Sequence, residues 1–218
     1  MLSNSPTLNF TDRSTTLYRM TQVHDTKQRL LETAQKLFYA RSYEDVGVQE
    51  ICQEAGVKKG SFYHFFPSKR DLTLAILDES WKQYRETMLA EVFAQDIPPL
   101  QRIERLLEVQ YRHHKAVKKE TGQVLGCPYG NLAGEMSTQD EAIRERLKGI
   151  FRDLEVPIEQ VLEEAMAAGD LPELDSRATA GAMVAYLEGL TLMAKTWNDP
   201  QVIRKLGAAM LKLAVPVS

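Results

Sequence analysis

The chain has 218 residues, 44% hydrophobic and 26% charged, with a formal net charge of −3. That balance belongs to a folded globular protein and excludes a mainly disordered chain, a collagen-like repeat or a polycationic coat for nucleic acid. Two cysteines, Cys52 and Cys127, exclude a disulfide framework and predict a reducing, cytoplasmic setting; the longest apolar run, 178–194, is interrupted by Glu188, so no membrane span is expected.

Residues 1–23 are rich in Ser, Thr and Asn without an apolar period, which predicts a flexible tail. Helical patterning begins at Asp25, with Asp25 or Thr26 as its cap, and Leu30, Leu31, Ala34, Leu37 and Phe38 share one face. A short second helix follows Gly47 and turns Val48, Ile51 and Ala55 inward. Gly56 supplies a tight turn, where a positive φ carries no steric cost. The third helix runs from Lys59 to Phe66, burying Phe62, Phe65 and Phe66, and stops at Pro67. Ser68 and Asp71 form a capping box for a fourth. Helices are then expected over about 68–94, 98–120, 126–138, 140–168, 175–196 and 199–214. No segment alternates with period two for long enough to make a strand, so the fold class is all-α with about nine helices.

The second and third helices, joined by a glycine turn, make a helix-turn-helix at about 47–66. With its aromatic face anchored, the third helix presents Lys59, Gly60, Ser61, Tyr63 and His64, small or hydrogen-bonding groups suited to the major groove. Residues 24–70 hold 8 Lys and Arg against 6 Asp and Glu, whereas the chain from Asp71 onward holds 17 against 23. Gly56 to Arg70 contains no acid at all. A basic patch on an acidic body is a docking surface for phosphates.

The run from Thr26 to Leu72, centred on LFYARSYEDVGVQEICQEAGVKKGSFYHFFPSKRDL, resembles the TetR/AcrR family of bacterial one-component repressors. The likeness rests on Leu37-Phe38, Ile51, Ala55-Gly56-Val57, Gly60, Phe62 to Phe66 and Ser68-Lys69, and covers about 60 residues. The resemblance implies a DNA-binding domain over 24–84 and an effector-binding and dimerisation domain over 85–218. It implies base contacts by Lys59, Gly60 and Ser61, phosphate contacts by Tyr63, His64 and Lys69, and phosphate near Gly47, Val48 and Gln49 at the start of the second helix. Two positions depart from the family pattern. Val46 and Gly47 stand where Thr or Ser is usual, and Lys58 replaces a hydroxyl cap, forfeiting about 1 kcal/mol while offering a cation for phosphate.

In the last two helices, Gly181, Ala185 and Gly189 recur every four residues and permit close helix approach. With Ile203, Leu206 and Met210 they form the expected dimer interface, which the resemblance places on a two-fold axis as a four-helix bundle. Trp81, Tyr84, Met88, Tyr111 and His114 are candidate walls of a pocket in the middle helices, together with Tyr129, Met136, Tyr186, Met193 and Trp197. Aromatic and methionine walls with few polar groups suit an apolar or amphipathic small molecule. Cys127, flanked by Gly126 and Pro128, is a further pocket candidate. Its thiol carries an alternative reading, a sensor of electrophiles or oxidants. No metal site, cofactor loop or catalytic motif occurs: His113 and His114 are adjacent and diverge on a helix, and no cysteine pair has zinc spacing. The expected protein is therefore not an enzyme. It is a homodimeric repressor of a palindromic double-stranded DNA operator, released by a small-molecule effector, or else an activator of the same family.

Overall fold

Thirty consecutive residues open the fold as one helix, α1, Thr11–Ala40. The computed structural model describes residues 11–214, with side chains from Asp25 onward. The expectation that helix begins only at Asp25 is therefore corrected: Asp25 is an interior residue, 3.4 Å from Arg29 one turn on, and caps nothing. The part of the expected tail at 1–10 lies outside the described residues.

Next come α2 (Val48–Glu54), α3 (Lys59–Phe65) and α4 (Lys69–Tyr84). Gly56 takes φ +63° between α2 and α3, letting the Val57 amide reach back to the Cys52 carbonyl at 2.8 Å. Leu30, Ala34, Val46, Ile51, Phe62 and Leu72 are fully enclosed and form the core of this head. Phe66 is buried as expected, but Phe65 is only half-buried at the edge of that core. Ser68 closes the expected box: its hydroxyl accepts from the Asp71 amide at 3.2 Å and donates to the Asp71 carboxylate at 2.6 Å.

α4 runs through a π-helical turn, Arg85–Leu89, into a short α5, Ala90–Val92. The body then comprises α6 (Pro99–Thr121), α7 (Pro128–Met136), α8 (Glu141–Ala167), α9 (Ser176–Thr196) and α10 (Gln201–Gly207), the last continuing as a 3-10 helix, Ala208–Ala214. Taking each continuous run as one, the described residues form nine helical segments and no strand. α9 packs chiefly on α8 and α10, and α6 on α8. Asp140 caps α8 and Asp175 caps α9, each accepting from the amide three residues on.

The apolar residues separate into two cores. Leu72 and Ile76 of α4 belong to the head; Leu77 and Trp81 of the same helix belong to the body. One rigid helix thus passes from one core to the other. No helix among the described residues is long and apolar enough to cross a membrane.

Candidate nucleic-acid interface and ligand cavity

The exposed surface of the head is built from the tips of two short helices. α2 and α3 begin at Gly47 and Lys58, both in extended backbone and neither making a side-chain cap. Lys58, Lys59, Gly60, Tyr63 and His64 face solvent, as do Gly47 and Gln49. Ser61 and Val48 are half-buried. Phe62, with no exposure, holds α3 in place, and the Tyr63 ring stands edge-on to it at 5.2 Å between centroids while remaining 49% exposed. Cations, a small residue and two polar rings are thereby presented from a fixed helix.

Lys69, for which the resemblance implies a phosphate contact, is half-buried and bonded within the head. Its ammonium donates to the carbonyls of Tyr43 at 2.8 Å and Val46 at 3.2 Å, and lies 3.9 Å from the Tyr43 ring centroid. Burial lowers its pKa, while Glu44 and Glu135 oppose that fall. Lys69 braces the turn between α1 and α2 from beneath.

The same turn is held from the other side by the body. The Glu135 carboxylate on α7 accepts from the amides of Tyr43 at 2.9 Å and Glu44 at 2.8 Å. Tyr39 near the end of α1 donates its hydroxyl to the Gly126 carbonyl at 2.7 Å, just ahead of α7. α7 therefore ties the head at both of its ends: Tyr39 fixes the segment entering it and Glu135 its last turn.

Behind α7 lies a cavity of about 350 Å³, walled by α1, α4, α6, α7, α8 and α9. Six expected walls meet there: Trp81, Tyr84, Met88, His114, Cys127 and Tyr129. Trp81 and Tyr84 stack at 5.6 Å, and Tyr129 stands edge-on to Trp81 at 5.8 Å. Trp81 is fixed by its indole N–H on Asp153 at 2.9 Å, Tyr84 by the Gln110 amide at 2.8 Å and Tyr129 by Ser80 at 3.4 Å. Burial raises the phenol pKa of Tyr84, and pushes that of Tyr129 up to about 12, so both rings stay neutral donors.

Five expected walls lie elsewhere. Tyr111 joins α6 to α10, taking a hydrogen bond from Gln201 at 3.0 Å and carrying the Arg204 guanidinium over its ring at 3.9 Å. Met136 is a core residue, and Tyr186 donates to the Leu206 carbonyl at 2.9 Å. Met193 and Trp197 are on the surface, Trp197 56% exposed. Helical period alone does not separate the inner from the outer face of a helix enclosed on several sides.

Sequence reasoning missed Gln110, Phe151, Thr191 and, above all, Glu188 as cavity walls. The signal for Glu188 was present, since it is the one charge inside the apolar stretch of α9. A Cβ at Gly130 would overlap the Glu188 carboxylate, so the bare glycine on α7 is what lets that group approach. Burial raises the Glu188 pKa, and the Cys127 thiol beside it acts in the opposite sense. Burial, and then the Glu188 carboxylate, push the Cys127 thiol well up, which holds it as a thiol rather than a reactive thiolate. Cys127 caps α7, its sulfur accepting from the Gly130 amide at 3.4 Å. His114 is 2% exposed and neither ring nitrogen has a hydrogen-bond partner. Burial, with a smaller contribution from His113, lowers its pKa to about 4, so the ring is neutral.

On the far side of α9, Ala185 and Gly189 are exposed and Gly181 half-buried. Leu192 (62% exposed), Leu206, Leu213 and Val156 add exposed apolar side chains. Ile203 and Met210 do not join them: both are completely enclosed within their own protomer, a correction to the expected contact set.

Residues 30–76 match the family described as "Bacterial regulatory proteins, tetR family", and residues 99–210 match "Tetracyclin repressor-like, C-terminal domain". An HTH-type transcriptional regulator in the lacX 3′ region of Lactococcus lactis is 30% identical over 83% of this chain and 89% of its own. The HTH-type transcriptional repressor DhaR of a Mycobacterium species is 28% identical over 87% of this chain and 92% of its own. The crystal structure of a regulatory protein TetR from Rhodobacter sphaeroides superposes with a TM-score of 0.75 at 30% identity, covering 86% of this chain and 98% of that one.

Proposed function

The chain belongs to the TetR family of bacterial transcriptional regulators, and from that premise we propose that it is a homodimeric repressor which leaves its operator when a small molecule enters the cavity behind α7. The observation that carries this reading is the pair of ties from α7 to the head, Tyr39 to Gly126 and Glu135 to the Tyr43 and Glu44 amides. They connect the cavity wall to the turn from which α2 and α3 are hung. A ligand that displaces α7 moves that turn, and α4, which belongs to both cores, carries the displacement along the chain.

In the bound state, Lys59, Gly60 and Ser61 read base edges from α3, while Lys58, Tyr63 and His64, with the start of α2 at Gly47, Val48 and Gln49, meet phosphate. Lys69 supports this surface rather than touching DNA. One helix of seven residues offers too few contacts for tight specific binding. A two-fold dimer supplies two, with half-sites ~34–36 Å apart or a multiple of that. The exposed face of α9 around Ala185 and Gly189, with Leu192, Leu206 and Leu213, is the apolar surface that would close the dimer.

The test is a salt-titrated mobility-shift assay on the DNA flanking the protein's own gene, with sedimentation to give the mass of the free and bound protein. The reading expects saturable binding of one dimer to a short palindrome that survives competitor DNA. Weak, sequence-blind binding by a monomer defeats it.

A further inference from the structure

The cavity walls carry a charge pattern that the repressor reading does not require. Apolar and aromatic groups, among them Trp81, Tyr84, Tyr129 and Phe151, line the cavity together with a single acid, Glu188, and there is no Lys or Arg among the described lining residues. No ion pair to Glu188 occurs among the described residues. Lys195, two turns along α9, donates instead to Asn131 at 2.9 Å. Glu188 is half-buried with the Cys127 thiol as its neighbour and no cation beside it, so a cationic guest would offset the cost of holding its charge away from water. Gly130 lets the carboxylate seat directly against α7, since any Cβ there would overlap it. The electron-rich faces of the stacked Trp81 and Tyr84 and of Tyr129 favour the same partner, since aromatic faces attract cations. An anionic ligand would meet the Glu188 carboxylate with no Lys or Arg in the lining to offset it.

His114 is a second polar group on the same cavity wall. Its enclosed ring offers one N–H and one lone pair, both unanswered. Leaving such groups unpaired disfavours the empty state, and a ligand hydroxyl, which both donates and accepts, answers either one.

We propose that the cavity selects a compact aromatic amine: the protonated nitrogen on Glu188, the ring among Trp81, Tyr84 and Tyr129, and a hydroxyl on the ligand, where there is one, on His114. The proposal rests on reading this cavity as the effector site. Its test separates the two, because binding is measured on the full-length protein without DNA. Phenethylamine, 2-phenylethanol and 3-phenylpropionate share a ring and differ in charge; tyramine adds a phenol to the amine.

Calorimetry is expected to rank phenethylamine above the alcohol and the carboxylate by roughly 10–100-fold, the span of one charge-assisted hydrogen bond. Tyramine should bind several-fold tighter again, a gain that His114→Leu removes. Glu188→Gln should bring the amine down to the level of the alcohol, with circular dichroism confirming the fold. Equal binding of amine and alcohol, tighter binding of the carboxylate, or no binding by either amine at millimolar concentration overturns the proposal. The wild-type ranking decides the matter even if Glu188→Gln fails to fold. Amine binding that leaves the operator complex intact supports the charge selection and counts against release from the operator.

Discussion

The head and the body of this protein bury their apolar residues in different ways. The head closes on six fully enclosed side chains, most polar groups on its working surface are exposed, and its motifs are contiguous in sequence. The body places polar groups along a cavity: Glu188 lines it half-buried and with no cation beside it, and the enclosed ring nitrogens of His114 lack the partners that buried groups ordinarily have. The difference teaches where each kind of function is stored. Recognition of a surface is written in a short stretch with the right spacing, whereas recognition of a small guest is written in unmet needs of residues far apart in the chain.

The most severe way to break this contrast is to empty the head's core. Phe62→Ala is expected to destabilise by about 3–5 kcal/mol. Trp81 and Trp197, the two tryptophans, both lie in the body, so tryptophan fluorescence reports the body alone. In urea, the helical circular dichroism of the variant should begin to fall before the fluorescence changes. Coincident transitions would instead make the two cores a single cooperative unit.

A second test addresses the body's unmet polar groups through pH. In the folded protein His114 titrates at about 4, against an ordinary value of 6.5. Below pH 6.5 the unfolded chain accepts a proton that the folded ring refuses, so the contribution of His114 to stability falls as pH drops from 6.5 towards 4 and is constant above that window. The full loss is about 3 kcal/mol. Denaturant titrations at several pH values should show most of that slope vanish in His114→Leu, with a remainder from His113, whose pKa burial also lowers.

The joint between the regions gives a smaller effect. Glu135→Ala removes the acceptor for two backbone amides and should cost about 1–2 kcal/mol. Hydrogen exchange at Tyr43 and Glu44 should accelerate while the amides around Phe62 keep their protection. Unchanged exchange at Tyr43 and Glu44 would remove the strut from the mechanism.

Gly130→Ala sharpens the comparison most finely. The added methyl meets the far end of a flexible side chain, so stability should move by no more than about 0.5 kcal/mol. The Glu188 carboxylate must nevertheless shift, and phenethylamine affinity should fall several-fold. A melting temperature that drops steeply would mean that α7 itself cannot accept the methyl.

Much of the fold was legible because its signals are local. The Ser68–Asp71 box, the positive φ of Gly56 and the aspartates ahead of α8 and α9 each act within a turn or two of chain. The start of α1 was not legible, since the polar residues before Asp25 carry no apolar stripe and still continue the helix from Thr11. In the head, the exposed residues of α3 stand where the motif implied, but Lys69 shows the limit of a motif: its spacing fixed the position and not the direction of its ammonium. In the cavity, six of eleven expected walls met, because aromatic and sulfur side chains mark a core without saying which core. Glu188 was visible in the sequence but was weighed against a membrane span rather than as a wall. Met210 and Ile203 were misassigned because a stripe of apolar residues looks the same whether it is covered by its own chain or by another.

Two neighbours on α9 serve different surfaces: Glu188 lines the cavity, and Gly189 lies exposed on the face proposed to meet the partner. On the proposed reading, a single helix is both an inner wall of the cavity and the seat of a second subunit. A guest that shifts this helix alters the seat its partner rests on, so the second cavity fills on terms set by the first. Ligand titration of such a dimer should then depart from a simple hyperbola, and the departure should vanish when the two subunits are held apart.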